Sequence, residues 1–140
     1  MKFIRILQLF FLVVLSGCDD DRIALPIAEE YNCSLNSSLN VGDFHIIRSQ
    51  EELLEFVSES DASANGLLDI DFSAYTLLLG KESFRNVPEC SYAFYQEGGT
   101  YHLDVEIRPT LAPAATVFEY GVLVEKLPQN AQVICSVTKK

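Results

Sequence analysis

The stretch Cys90–Pro109, "CSYAFYQEGGTYHLDVEIRP", decides the fold class. Two strand-like arms flank Glu97-Gly98-Gly99-Thr100, and the Gly-Gly pair supplies the positive φ of a tight hairpin turn. In the second arm Tyr101, Leu103, Val105 and Ile107 alternate with His102, Asp104, Glu106 and Arg108. A period of two puts the apolar set on one face and the polar set on the other, the mark of an antiparallel strand with one face in a core.

Outward from the hairpin the same period recurs. Phe118, Tyr120, Val122 and Val124 alternate up to Pro128, and Val133, Cys135 and Val137 make a last strand. "YTLLLG" (Tyr75–Gly80) is a continuous apolar run, short enough for a central strand covered on both faces. "FHII" (Phe44–Ile47) is a further short strand. Ser49-Gln50-Glu51-Glu52 then forms a capping box, and Leu53, Leu54, Phe56 and Val57 fall on one face of the helix it opens. That helix is expected to end near Ser60, because "SDASANG" (Ser60–Gly66) is turn chemistry. The expected fold is α+β: a mostly antiparallel sheet of about six strands with one main α-helix.

The N-terminus follows other rules. "MKFIR" is basic, "ILQLFFLVVL" (Ile6–Leu15) is apolar, and Ser16-Gly17 is a small pair. That sequence of regions describes an export signal. The apolar run ends at Asp19, short of the roughly 20 residues a membrane-spanning helix needs. "LSGC" (Leu15–Cys18) resembles the bacterial lipobox, which implies cleavage between Gly17 and Cys18 and acylation of the Cys18 thiol. Several acyl chains at about 0.8 kcal/mol per buried CH₂ hold a protein firmly on a membrane. Asp19-Asp20-Asp21 reads as a solvated spacer of like charges. It also resembles the acidic sorting signals that follow the lipidated cysteine in Bacteroidetes lipoproteins. In enterobacteria an aspartate at this position would instead resemble an inner-membrane retention signal. The expected organisation is a signal peptide over 1–17, a lipid-anchored tether over 18–40 and a globular domain over 41–140. Twenty flexible residues would hold the domain about 25 Å from the headgroups, although "IALPIAEEY" (Ile23–Tyr31) is apolar enough for part of it to dock.

The chain of 140 residues carries a formal charge of −10. Lys2 and Arg5 are the only charges before Cys18, so loss of residues 1–17 takes the net charge to −12. Such a surface repels nucleic acid and anionic lipid, and no Lys/Arg cluster offsets it. Nucleic acid is therefore not an expected partner.

The chemical candidates are few. His102, Asp104 and Glu106 share the polar face of one strand, and imidazole with carboxylates suits zinc or manganese. A solvated strand face needs no partner and is the expectation. Asp69 and Asp71 also share a parity, as paired carboxylates or as the polar entry to a strand. No hydrolase, zinc-protease, redox or P-loop motif occurs in the chain. No catalytic residue, metal ligand or cofactor is expected. With Cys18 acylated, Cys33, Cys90 and Cys135 remain, enough for one disulfide and a spare thiol or for three reduced thiols. All three pairings are open, and Cys90 with Cys135 is favoured because both stand on strand ends of one sheet.

From Phe44 onward the layout resembles the PrcB-like C-terminal domain family and small Bacteroides lipoproteins of the same plan. The matching pieces are "IIRSQEELLEF" (Ile46–Phe56), "IDFSAYTLLLGKES" (Ile70–Ser83), the central hairpin and "VLVEKLP" (Val122–Pro128). Where that family carries a Gly-Gly-Tyr step after its apolar strand, this chain has "SFRNVPECSY" (Ser83–Tyr92). The resemblance implies a non-catalytic accessory domain of the bacterial cell envelope, lipid-anchored at the outer membrane, that engages a protein or glycan partner. The alternative is a small envelope hydrolase or metal-binding enzyme built on His102, Asp104 and Glu106.

Overall fold

The structure is a computed structural model that describes residues 22–140. The fold is α+β, with eight strands in two sheets and two α-helices among the described residues. The strands are β1 Ile23–Ala24, β2 Ile27–Cys33, β3 Phe44–Ile47, β4 Tyr75–Phe84, β5 Pro88–Glu97, β6 Thr100–Pro109, β7 Thr116–Glu125 and β8 Val133–Lys139. The helices are α1 Gln50–Phe56 and α2 Glu59–Ala64. One sheet has the order β1-β5-β6-β8 and the other β2-β7-β4-β3. All pairings are antiparallel except β6 with β8, which run parallel.

Three layers follow from where the side chains go. Leu78, Phe94, Leu103, Val105, Ile107, Phe118, Tyr120, Val122 and Val124 fill the space between the two sheets. Leu77, Leu79 and Leu123 leave the opposite face of the second sheet and meet Leu35, Ile47, Leu53, Val57, Ala62 and Leu67 beneath the helices. The second sheet is therefore covered on both sides, which is why Tyr75–Gly80 reads as an unbroken apolar run. Gly80 is required on this strand, since a Cβ there would overlap the ring of the buried Tyr120.

The central hairpin forms as expected: β5 and β6 pair from Pro88↔Pro109 to Glu97↔Thr100, with Gly98 at φ 62° in the turn. The Ser49 hydroxyl accepts the Glu52 amide at 3.1 Å, and the Glu52 carboxylate turns back to the Arg48 amide at 2.6 Å, one residue earlier than a standard capping box. Of the expected apolar face, Leu53 and Val57 are buried and Phe56 is half-buried, whereas Leu54 is exposed.

Two expectations are corrected. The helix opened by Ser49 ends ahead of Ser60, at Phe56, but the following stretch is not a turn: Ser58 caps a second helix by accepting the Asp61 amide at 3.2 Å, Ala62 is buried on it, and Gly66 in the left-handed region (φ 77°) closes it. The polar Ser60–Gly66 stretch is a short capped helix because one small apolar residue suffices to seat it. The tether expected over 18–40 is also corrected in its described portion. Ile23–Ala24 pairs with Tyr95 and Gln96, and Ile27–Cys33 pairs with β7, so the domain starts before Val41. The next segment has no regular structure, yet Leu35, Ser37 and Leu39 are buried alternately against the helical side of the second sheet.

That segment is pinned by a residue of β7. Glu119 is 1% exposed, and its carboxylate accepts the amides of Leu35 at 2.7 Å and Ser37 at 3.0 Å. Lys81 stands 3.7 Å from the same carboxylate and donates to the Ser37 carbonyl at 2.7 Å. A buried charge is tolerable when paired and hydrogen-bonded in this way.

Candidate functional site

A concavity of about 590 Å³ lies between β2 and the chain from α2 to β4. A β-bulge in β2 creates its first wall. Ile27 pairs with Val124, but Glu29 pairs with Leu123, so Ala28 is the extra residue and the alternation slips by one. Ile27 thereby packs on the inter-sheet core, whereas Glu29 and Tyr31 turn to the helical side. The Tyr31 hydroxyl donates to Glu29 Oε1 at 2.7 Å. Partial burial, reinforced by that carboxylate, raises the phenol above its ordinary value.

The second wall comes from the end of α2. The Asn65 side-chain amide donates to the Asp61 carbonyl at 2.8 Å, which leaves its oxygen as the open acceptor. A 3₁₀ turn over Leu67–Asp69 buries Leu67 and brings Asp69 to the rim. Asp71 then makes an Asx turn, taking the Ser73 amide at 3.0 Å and the Ser73 hydroxyl at 2.5 Å. Those hydrogen bonds hold its carboxyl below the usual range. Asp69 and Asp71 therefore sit on turns rather than at a strand entry, and both line the same cleft. Tyr75, the first residue of β4, closes the end.

A second hollow of about 480 Å³ adjoins the first and shares Ala28 and Tyr75 with it. Glu125 and Lys126 form its far side, with the Lys126 ammonium donating to the Phe72 carbonyl at 3.0 Å. The pair makes one open groove with Tyr75 between its halves. The larger half is lined by three carboxylates and no Lys or Arg.

Comparison with family models, curated proteins and solved structures finds no match to this chain. The site therefore stands on its own geometry.

The expected polar face of β6 exists, but its groups are occupied with one another. The His102 ring stacks on Tyr95 with centroids 5.0 Å apart and planes 6° from parallel. The Tyr95 hydroxyl donates to Asp104 Oδ2 at 3.1 Å. Glu106 accepts Arg108 Nε at 2.6 Å and lies 4.0 Å from the Lys140 ammonium. A hollow of about 480 Å³ beside this face is lined by Asp104 and Glu106 but not by His102. His45 is on β3 in the other sheet, against Phe56. Among the described residues no three His, Cys, Asp or Glu are gathered at metal-binding distance.

The expected Cys90–Cys135 disulfide is corrected. Cys33, Cys90 and Cys135 are all free thiols. Cys90 faces Ile107 and Cys135 faces Leu103, on the two strands that flank β6. Two strand spacings separate them by about 10 Å before the stagger along β6 is added, beyond the roughly 7 Å a bridge tolerates. Gly17, Cys18, Asp19, Asp20 and Asp21 lie outside the described residues. Among the described residues no helix is long and apolar enough to cross a membrane.

Sequence reasoning named Asp69 and Asp71 only as a carboxylate pair or a polar strand entry, and it missed Glu29, Tyr31 and Tyr75. The available signal was the apolar "IALPIAEEY" inside an expected tether.

Proposed function

We propose that this chain is a non-catalytic accessory domain of the bacterial cell envelope, lipid-anchored through Cys18, whose groove binds a protein or glycan partner. The observation that carries the reading is the groove itself. It combines two tyrosines with side-chain hydrogen-bond acceptors, and no Ser, Cys or His is among its lining residues. Such a surface recognises rather than reacts. The resemblance of the sequence to PrcB-like domains supports an accessory role, and the lipobox-like "LSGC" with its following acidic triplet supports outer-membrane anchoring.

On this reading the domain rides close to its membrane. Ile23, the first paired residue, is five residues from Cys18, a reach of at most about 18 Å even when fully extended. It pairs beside the Gly98 hairpin, so that end lies towards the headgroups. The loop carrying the fully exposed Leu111 lies about 30 Å away at the other end of β6.

The test has two arms. Radiolabelled fatty acid is incorporated by the wild-type chain and not by Cys18→Ala, and the wild-type chain is retained by membranes. Mass spectrometry of material captured from native membranes identifies a partner that Tyr75→Ala does not capture. A soluble, unacylated wild-type chain would overturn the anchoring, and identical captures by both chains would overturn the groove.

A further inference from the structure

We propose that the occupant of the groove is a neutral or amino-sugar oligosaccharide that spans both hollows with Tyr75 between two sugar-binding subsites. This deepens the proposed function and rests on it. The shape is the first argument. Two adjoining hollows of about 590 and 480 Å³ share Tyr75 and Ala28, and each is in the size range of a small-ligand site. A chain of linked units fills such a pair, whereas a compact ligand fills only one.

The chemistry is the second argument. Tyr31 and Tyr75 supply aromatic surface to the larger hollow, and a pyranose ring presents an apolar C–H face that packs on such a surface. Its hydroxyls are donors in search of acceptors. Glu29, Asp69, Asp71 and the Asn65 oxygen are acceptors, and the Tyr31 hydroxyl and one of the two Asn65 N–H donors are already engaged within the protein. A donor-rich, uncharged polyol satisfies that set; an amino sugar adds an ammonium to it. Uronic acids, phosphates and nucleic acid are repelled by the three carboxylates of the larger hollow.

An extended peptide fits less well. Peptides add most readily to a sheet edge, and the edge next to the groove is β2. Its bulge at Ala28 and the exposed Glu29 and Glu30 are the devices that oppose strand addition.

The intact chain in detergent is titrated calorimetrically with cellotetraose, chitotetraose and maltotetraose, and with the corresponding monosaccharides. At least one tetrasaccharide is expected to bind saturably, and more tightly than its monosaccharide. Tyr75→Ala weakens that binding about tenfold or more. Because Tyr75 also packs beneath the helices, Asp69→Ala is the second variant. Asp69 is exposed, and its side chain makes no hydrogen bond or ion pair among the described residues, so this variant keeps its melting temperature while losing affinity.

The inference is overturned if none of the three tetrasaccharides binds, or if a monosaccharide binds as tightly as its tetramer. Binding unchanged in both variants overturns it too. Binding of polylysine alone, abolished by about 0.5 M salt, would instead mark a site for organic cations. Tyr75-dependent capture of a protein with no saccharide bound would overturn the oligosaccharide and leave the accessory function standing.

Discussion

Glu119 and Glu106 occupy equivalent places in two strands and meet opposite fates. Each follows an apolar residue in a period-two pattern, so each reads as the polar face of a half-buried strand. Glu106 on β6 does lie on the outer face of its sheet, half-exposed and paired with Arg108. Glu119 on β7 is 1% exposed, because β7 is an inner strand of the sheet that a third layer covers. Its carboxylate supplies the hydrogen bonds that the irregular Leu35–Leu39 segment cannot obtain from a neighbouring strand. Alternation reports which residues share a face. It does not report whether that face is wet.

The sharpest way to break the comparison is to remove each carboxylate. Glu119→Ala strands the Leu35 and Ser37 amides in the interior and leaves Lys81 without its anion. A loss of about 3–5 kcal/mol is expected from breaking a buried pair of this kind, read as a lowered urea midpoint. Glu119→Gln keeps one acceptor and recovers part of that loss. An unchanged midpoint for Glu119→Ala would mean that water reaches the segment and the third layer is loose.

A second effect comes from the thiols and phenols around the same layers. Burial pushes the Cys33 thiol from an ordinary 9.0 up to about 11, with Glu119 reinforcing it. Burial also raises Cys90 and Cys135, and the phenols of Tyr92 and Tyr120. Each group binds its proton more tightly folded than unfolded. The stabilisation from Cys33 is therefore complete below about pH 9 and is lost as pH rises towards about 11. Urea midpoints are expected to hold steady to pH 9 and fall beyond it. Titration of the denatured, unreduced chain lacking residues 1–18 counts three thiols. A midpoint flat to pH 11, or a count of one, would contradict this picture.

Much of this was legible from local chemistry. The Gly98 hairpin, the alternation of β6 and the Ser49 cap are each fixed by residues within a few positions of one another, and each forms as the residues dictate. The doubly covered β4 was legible too, from its unbroken leucines. What escaped depends on distant partners. The Cys90–Cys135 pairing failed because β8 joins the sheet beyond β6, and no residue of β8 announces its neighbour. The bulge at Ala28 turned Glu29 and Tyr31 towards the groove, although nothing in "IAEEY" marks where a register slips. Leu35, Ser37 and Leu39 did carry a signal, a period of two hidden among Asn and Ser, but its meaning required Glu119 from over eighty residues away.

The smallest effect is expected on the face that the sequence made most conspicuous. Glu106 is exposed enough for water and salt to screen its bond with Arg108, and Lys140 stands only at the limit of an ion pair. Glu106→Gln should therefore leave the urea midpoint within error of wild type. His102→Ala removes the ring stacked on Tyr95, yet the Tyr95 hydroxyl keeps Asp104 and its ring keeps the guanidinium of Arg22 at 4.1 Å. The stacking alone is lost, and a loss of about 0.5–1.5 kcal/mol follows. A His102→Ala variant that falls as far as Glu119→Ala would show that this outer face is covered in solution, and the contrast between the two glutamates would then lie in the partner rather than in the layer.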